Sequence, residues 1–114
     1  MQSIAKAKSI RHSAMRLRQV ADIVRGRNVE ESLAILNIMK NTKKGAEIVE
    51  GVLKSAVANL QNSDEGASAD LEIVKVKTIT VDKGPLMKRI RARAQGRAFR
   101  SHKNLSHVTV VVGD

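Results

Sequence analysis

Lys83-Gly84-Pro85-Leu86-Met87-Lys88-Arg89-Ile90-Arg91-Ala92-Arg93-Ala94-Gln95-Gly96-Arg97-Ala98-Phe99-Arg100-Ser101-His102-Lys103 is a stretch rich in Lys and Arg that contains no acidic residue. Burying unpaired charge costs several kcal/mol per group, so this segment lies either in water or against a polyanion. Which of the two holds decides both the fold and the function. Gly84-Pro85 reads as a kink in a strand, and Ile90 to Arg93 as the approach to a tip. Arms running from about residue 82 to 91 and back to about 101 would extend roughly 25–30 Å at about 3.3 Å per residue.

Along the second arm Ala92, Ala94, Gly96 and Ala98 interleave with Arg91, Arg93, Gln95 and Arg97. That alternation puts small side chains on one face and long donors on the other. A lone two-stranded hairpin is marginal in water, and this one also repels itself. It becomes sensible if RNA phosphates supply the counter-charge and Arg forks bind them in bidentate fashion. The plainer reading of the same residues is a disordered basic loop.

Outward from this segment the chain has strand-like runs on either side. In the run Leu71 to Val81, Leu71, Ile73, Ile79 and Val81 share one parity and Val74 and Val76 the other. The inward face therefore switches near Lys75 to Lys77, which a bulge or a strong twist would explain. After the basic segment, Val108, Val110 and Val112 alternate with Thr109 and Val111. Before both runs lies the polar loop 62–68, and before that the period is helical. Ser13 is placed to cap a first helix whose face is Ala14, Leu17, Val20, Ala21 and Val24, with Gly26 as its stop. Arg18 and Asp22 stand four apart, in reach of a surface ion pair.

Asn28 is placed to cap a second helix, with Glu31 at the capping-box position and Leu33, Leu36 and Met39 inward. The turn 41–45 leads to a third helix with Val49, Val52, Leu53, Ala56, Val57 and Leu60 inward and a Glu50–Lys54 pair outside. Gly51 lowers helix propensity there by about 1 kcal/mol relative to Ala. The expected fold class is α+β: three helices packed on a small antiparallel β-sheet, with a long protruding basic β-hairpin. One domain spans 1–114, with a globular part over about 1–81 and 102–114 and the hairpin over about 82–101.

Composition narrows the function further. The chain has 114 residues, with 21 Lys and Arg against 11 Asp and Glu, a net charge of +10, and 42% hydrophobic residues. So basic a balance favours nucleic acid, an anionic membrane surface or an acidic protein as partner. The hydrophobic share is enough to fold around. Phe99 is the only aromatic residue, which argues against a base-stacking platform for single strands. Absence of Cys removes disulfides, zinc fingers and thiol chemistry. No window approaches a membrane span, and the basic N-terminus lacks the apolar core of a signal peptide.

The residues Val81 to Ile90, then Arg93-Ala94-Gln95-Gly96-Arg97-Ala98, then Ser106-His107 to Val112 resemble the bacterial large-subunit ribosomal protein twenty-two family. The likeness extends back through Ser13, Arg16, Arg18, the run Val20 to Gly26, and Ala56-Val57-Ala58-Asn59, covering nearly the whole chain in order. Arg91-Ala92 stands where that family often has Met-Pro, and Lys103-Asn104-Leu105 where Lys-Arg-Thr commonly precedes Ser-His.

The resemblance implies a structural constituent of the large ribosomal subunit that binds large-subunit (23S) rRNA and supports early assembly. It implies a hairpin that lines the nascent polypeptide exit tunnel, neighbouring large-subunit proteins and the nascent chain as further partners, and a cytoplasmic location. No membrane, small-molecule substrate, cofactor or metal enters this reading. The rRNA contacts are expected at Lys6, Lys8, Arg11, Ser13, Arg16, Arg18, Arg25, Lys83, Lys88, Arg89, Arg91, Arg93, Arg97, Arg100, Lys103 and His107. The tunnel-lining tip is expected at Lys88, Arg89, Ile90, Arg91, Ala92 and Arg93.

Two rival classes make different predictions. An architectural nucleic-acid binder unrelated to the ribosome would take duplex DNA as readily as folded rRNA. A small ribonuclease would need two imidazoles as acid and base. Nothing in the linear spacing of His12, His102 and His107 brings them together, so no catalytic residue is assigned.

Overall fold

Gly26 shows how the first half of the chain is tied to the second. The computed structural model describes residues 2–63, 73–92 and 94–113, with Phe99 by its backbone alone. Helix α1 (Ala14–Val24) ends at Arg25, and Gly26 follows in the left-handed region with φ +82°. A residue without a Cβ adopts that conformation at little cost, which is why glycine so often follows a helix. The reversal turns the chain onto strand β2 (Lys75–Lys83): the Gly26 N–H donates to Val76 O, the Val76 N–H to Arg27 O, and the Val29 N–H to Val74 O. Helix α2 (Val29–Met39) starts from that seam, and α3 (Lys44–Asn62) follows after a short turn.

The strands form two separate antiparallel sheets. Strand β5 (Ser106–Gly113) lies in the centre of a three-stranded sheet, flanked by β2 and by β1 (Gln2–Ile10). Among the described residues, strands β3 (Met87–Ala92) and β4 (Ala98–Lys103) pair only with each other. The molecule measures 64 × 26 × 17 Å with a radius of gyration of 17.1 Å. A compact chain of this length would have a radius of gyration near ~13 Å, so the hairpin projects well beyond the body.

Alternation in β5 produces the core on one side of the sheet. Val108, Val110 and Val112 are fully buried, whereas Thr109 and Val111 are half-buried. Helix α3 packs across β1 and β5, α1 packs across β2, and α2 rests on α3. Leu17, Leu36, Leu53, Leu60 and Ile79 are the largest side chains withdrawn from water. At about 25 cal/mol per Å², burial of such side chains contributes roughly 1.5–3 kcal/mol each.

Several expectations are met. The inward faces of α1 and α3 consist of the periodic apolar residues, and α2 points Leu36 into the core with Leu33 and Met39 at its margin. The parity switch in β2 is a register shift between Val76 and Thr78, with Val74, Val76, Ile79 and Val81 all buried. Leu71 and most of the 62–68 loop lie outside the described residues; Ile73 is exposed and precedes the strand.

Other expectations are corrected. The helical period expected before the 62–68 loop does not extend to the basic N-terminus, which is a strand: Gln2 to Ile10 pair with β5 from Gly113 back to Ser106. Sequence periodicity missed it because the Lys and Ser residues there dilute the apolar alternation, which pairing with β5 satisfies through the backbone. Ser13 and Asn28 occupy the N-cap positions of α1 and α2 but make no side-chain capping hydrogen bond. Glu31 does not close a capping box; its carboxylate pairs with Arg27 at 2.6 Å.

Asp22 pairs with Arg25, not with Arg18. Glu50 is not on the outside: it is only 6% exposed, and both Lys54 (2.8 Å) and Lys40 (3.3 Å) reach its Oε1 from the rim. The alternation from Ala92 to Ala98 is interrupted by a 3-10 turn at Ala94–Gly96, where Gln95 takes φ +63°. That turn, beyond Ile90 to Ala92, is the hairpin's reversal.

Candidate nucleic-acid interface

The neck of the hairpin is built by Gly84. Its N–H donates to Leu105 O at 2.7 Å, and a Cβ at this position would lie 3.0 Å from that same oxygen and 3.2 Å from His107 Nε2. Only glycine lets the outgoing and returning chains approach so closely. Pro85 then removes an N–H, so β2 cannot simply run on into β3 as one ladder. Past the neck, Met87 pairs with Lys103, Lys88 with His102, Arg89 with Ser101, Ile90 with Arg100, Arg91 with Phe99 and Ala92 with Ala98.

The basic residues of this arm have few partners in the protein. Lys88, Arg89, Ile90, Arg91 and Ala92 are exposed along β3, as are Arg97 and Arg100 opposite. Among the described residues, Arg89 donates only to the neighbouring Lys88 O and to Met87 Sδ. Ile90 is 77% exposed, so the arm presents apolar surface as well as charge. Lys88 and Arg89 stand on the half of β3 nearer the body, and Arg91 and Ala92 on the half nearer the turn. Arg93 lies outside the described residues.

Basic residues of the body behave differently. Arg18 donates twice to Val81 O, through Nε at 3.1 Å and Nη2 at 2.9 Å, and so braces α1 against β2. Arg25 donates to Ile79 O at 2.8 Å while its other nitrogen holds Asp22. Lys6 and Lys8 are exposed on β1. His107 is engaged by its Nδ1, which accepts the Ser9 N–H at 3.0 Å where β1 kinks through φ +58°. Lys83 ends β2 beside the neck and borders a small pocket with Ser13 and Arg18.

The remaining expected contacts converge. Arg11, Ser13, Arg16 and Lys103 line one cleft together with His12, Lys44, His102 and Asn104. Four of these eight were not expected as contacts, and Lys43 lies just beyond. Linear spacing hid this convergence, including the approach of His12 and His102, because the cleft joins segments almost ninety residues apart. A Lys-Lys pair just before an apolar helical period was the one available signal. Among the described residues, no helix is long and apolar enough to cross a membrane.

The geometry is thus a folded body with a cationic face, from which an uncovered cationic arm projects. Residues 5–113 match the family model of ribosomal protein L22p/L17e. The chain belongs to that family. It is a large-subunit ribosomal protein that binds rRNA, with ribosomal proteins as neighbours. Membership sets aside the architectural binder unrelated to the ribosome, and the family is one of structural proteins.

Proposed function

We propose that the β3–β4 hairpin inserts between strands of the large-subunit rRNA and that the stretch from Lys88 to Arg93 lines the nascent polypeptide exit tunnel, touching the growing chain. The body, residues 1–81 and 102–114, anchors on the RNA surface as one domain with the hairpin (82–101) as its extension. By joining separate RNA segments it supports early subunit assembly in the cytoplasm. It acts as a scaffold and not as an enzyme.

The observation that supports this reading is the uncovered hairpin. Among the described residues it pairs only with itself and leaves Arg89, Arg91, Arg97 and Arg100 exposed, and it carries no acid between Lys83 and Lys103. Fixing such an arm in water gains little burial against its entropy and self-repulsion. Phosphates supply what the protein withholds, through charge-assisted bidentate bonds to Arg. With one aromatic residue in the whole chain, recognition rests on RNA shape and backbone, not on stacked bases.

The test is binding of the full chain to large-subunit rRNA as a function of salt. Neutralising about six phosphates makes affinity fall on the order of a thousandfold between 50 and 200 mM salt. Arg89→Glu with Arg91→Glu and Arg97→Glu abolishes most of that binding and leaves the helical CD signal intact. A flat salt dependence, or an unaltered affinity in the triple variant, refutes the insertion. Crosslinks from the Arg89 to Ala92 region to nascent chains in intact subunits test the tunnel position.

A further inference from the structure

The cleft at the root of the hairpin is a site in its own right. Its walls come from three places: the turn between β1 and α1 (Arg11, His12, with Arg16 one turn on), the start of α3 (Lys43, Lys44), and the returning end of the hairpin (His102, Lys103). It has two lobes of about 360 and 480 Å³ that share His12, Arg16 and Lys44. Among the described residues that line it, none is Asp or Glu; Glu47, on the next turn of α3, faces a different groove.

These walls are held in place by the fold. Gly45 lies so close to α1 that a Cβ would touch Leu17 Cδ2 and Val20 Cγ2 at 3.4 Å, which sets Lys44 beside Arg16. The fully buried Ser106 donates its hydroxyl to His12 O at 2.6 Å, pinning the β1–α1 turn to the strand that follows the hairpin. The fold therefore gathers cations from distant segments without supplying a counter-charge. Among the described residues, the weak Lys43–Gln19 contact, 3.4 Å long, and the contact of His12 Nδ1 with Ser13 O, 3.3 Å long, take up donors there.

We propose that this cleft seats the phosphate backbone of an RNA strand, successive phosphates occupying the two lobes, and that this anchor at the hairpin root is separate from the contacts along the arm. The proposal rests on the rRNA-binding reading above and adds a site and residues to it: Lys43, Lys44, His12 and His102. Two connected lobes suit a chain of phosphates better than a single ion. Arg forks and Lys ammonium groups bind phosphate oxygens without regard to the base. Because one wall is the end of β4, a strand held there touches body and hairpin together and fixes the direction in which the arm leaves.

The experiment titrates the full chain with a large-subunit rRNA transcript from 50 to 200 mM salt. It compares the wild type with Lys43→Gln/Lys44→Gln, with Arg16→Gln/His102→Gln should the first pair lose helical CD signal, and with Lys75→Gln/Lys77→Gln as a distant control. Lys75 and Lys77 are exposed at the end of β2 away from the neck. Each cleft variant is expected to weaken binding about tenfold and to lower the salt slope by about one to two, the control pair by much less.

Equal losses in cleft and control variants would make the effect one of net charge and overturn the site. An unaltered slope in the cleft variants would do the same. Full displacement of RNA by an equal phosphate concentration of inorganic tripolyphosphate would overturn the assignment to an RNA strand. In each of these cases the hairpin triple variant still reports on rRNA binding. Loss of nothing in that variant, or no binding by the wild type, would instead remove the underlying reading and the site with it.

Discussion

Three arginines of the body do work opposite to those of the hairpin. In the body Arg18, Arg25 and Arg27 send their guanidinium groups to the carbonyls of Val81, Ile79 and Ile23 or to nearby carboxylates, and so lock helix to strand or end to turn. On the hairpin, among the described residues, Arg89 finds only the adjacent Lys88 O and a methionine sulfur, and Arg91, Arg97 and Arg100 are exposed. Counting cations in a basic protein therefore overstates how many are free for a polyanion. What separates the two groups is the presence of a packed element within reach, not the residue type.

The contrast can be tested first through stability. Leu53→Ala in the fully buried face of α3 is expected to lower unfolding free energy by about 2–5 kcal/mol, read from urea melts. Ile90→Ala on the arm, 77% exposed, is expected to stay within about 0.5 kcal/mol of wild type in the same assay. Equal effects would mean that the hairpin packs against the body in solution.

The join between the two regions comes next. Gly84→Val places side-chain atoms against the Leu105 carbonyl, 3.0 Å from the position of its Cβ, and is expected to cost about 1–3 kcal/mol. Faster amide exchange at the neck and in β5, with α2 unaffected, would confine the damage to that crossing.

Glu50 tests the charge economy of the body. The hydrogen bond from Lys54 holds its carboxyl below the ordinary value of 4.5; burial opposes this, and the bond and charge of Lys40 reinforce it. Because the folded form releases this proton more readily than the unfolded chain, the stabilisation is present above pH 4.5. It is lost as pH falls below that value through the folded carboxyl's titration. Glu50→Gln is expected to cost about 1–2 kcal/mol at pH 7 and to flatten that acid limb in thermal melts. An unchanged acid limb would show that the carboxylate is not what holds Lys40 and Lys54 in place.

The mildest substitution in the body sharpens the comparison most. Arg18→Ala is expected to lose about 1 kcal/mol of stability by removing two donors to one carbonyl, with the salt slope of rRNA binding unchanged. A slope lower by about one would give Arg18 a phosphate contact in addition to its brace.

The architecture was legible where periodicity is strong and local. The faces of α1 and α3, the parity switch in β2 and the alternation of β5 all follow from which residues avoid water. The Gly84-Pro85 kink was legible because proline fixes φ and removes a ladder donor, while glycine without a Cβ permits conformations and approaches that other residues do not. Strand β1 was not, since its pairing with β5 joins the two ends of the chain and depends on backbone hydrogen bonds that any side chain permits. Glu50 was misplaced for a related reason: its i,i+4 partner Lys54 signals an exposed pair, while Lys40, from the preceding helix's end, folds over it. The cleft was invisible because its lining comes from residues near 11–16, 43–44 and 102–104, each unremarkable alone.

The two rims of the central sheet are finished unlike each other. Beside β2, the Gly26–Val29 seam and the Asn28–Lys75 bridge occupy main-chain groups that another strand would need. Among the described residues no further strand is paired beside β1, and Asn59 takes up one carbonyl there, that of Ile4. Exposed Lys6 and Lys8 and the left-handed Ser9 interrupt that rim with charge and a bend, the usual obstacles to strand stacking. The charge and the bend thus oppose edge-to-edge pairing of two copies along β1.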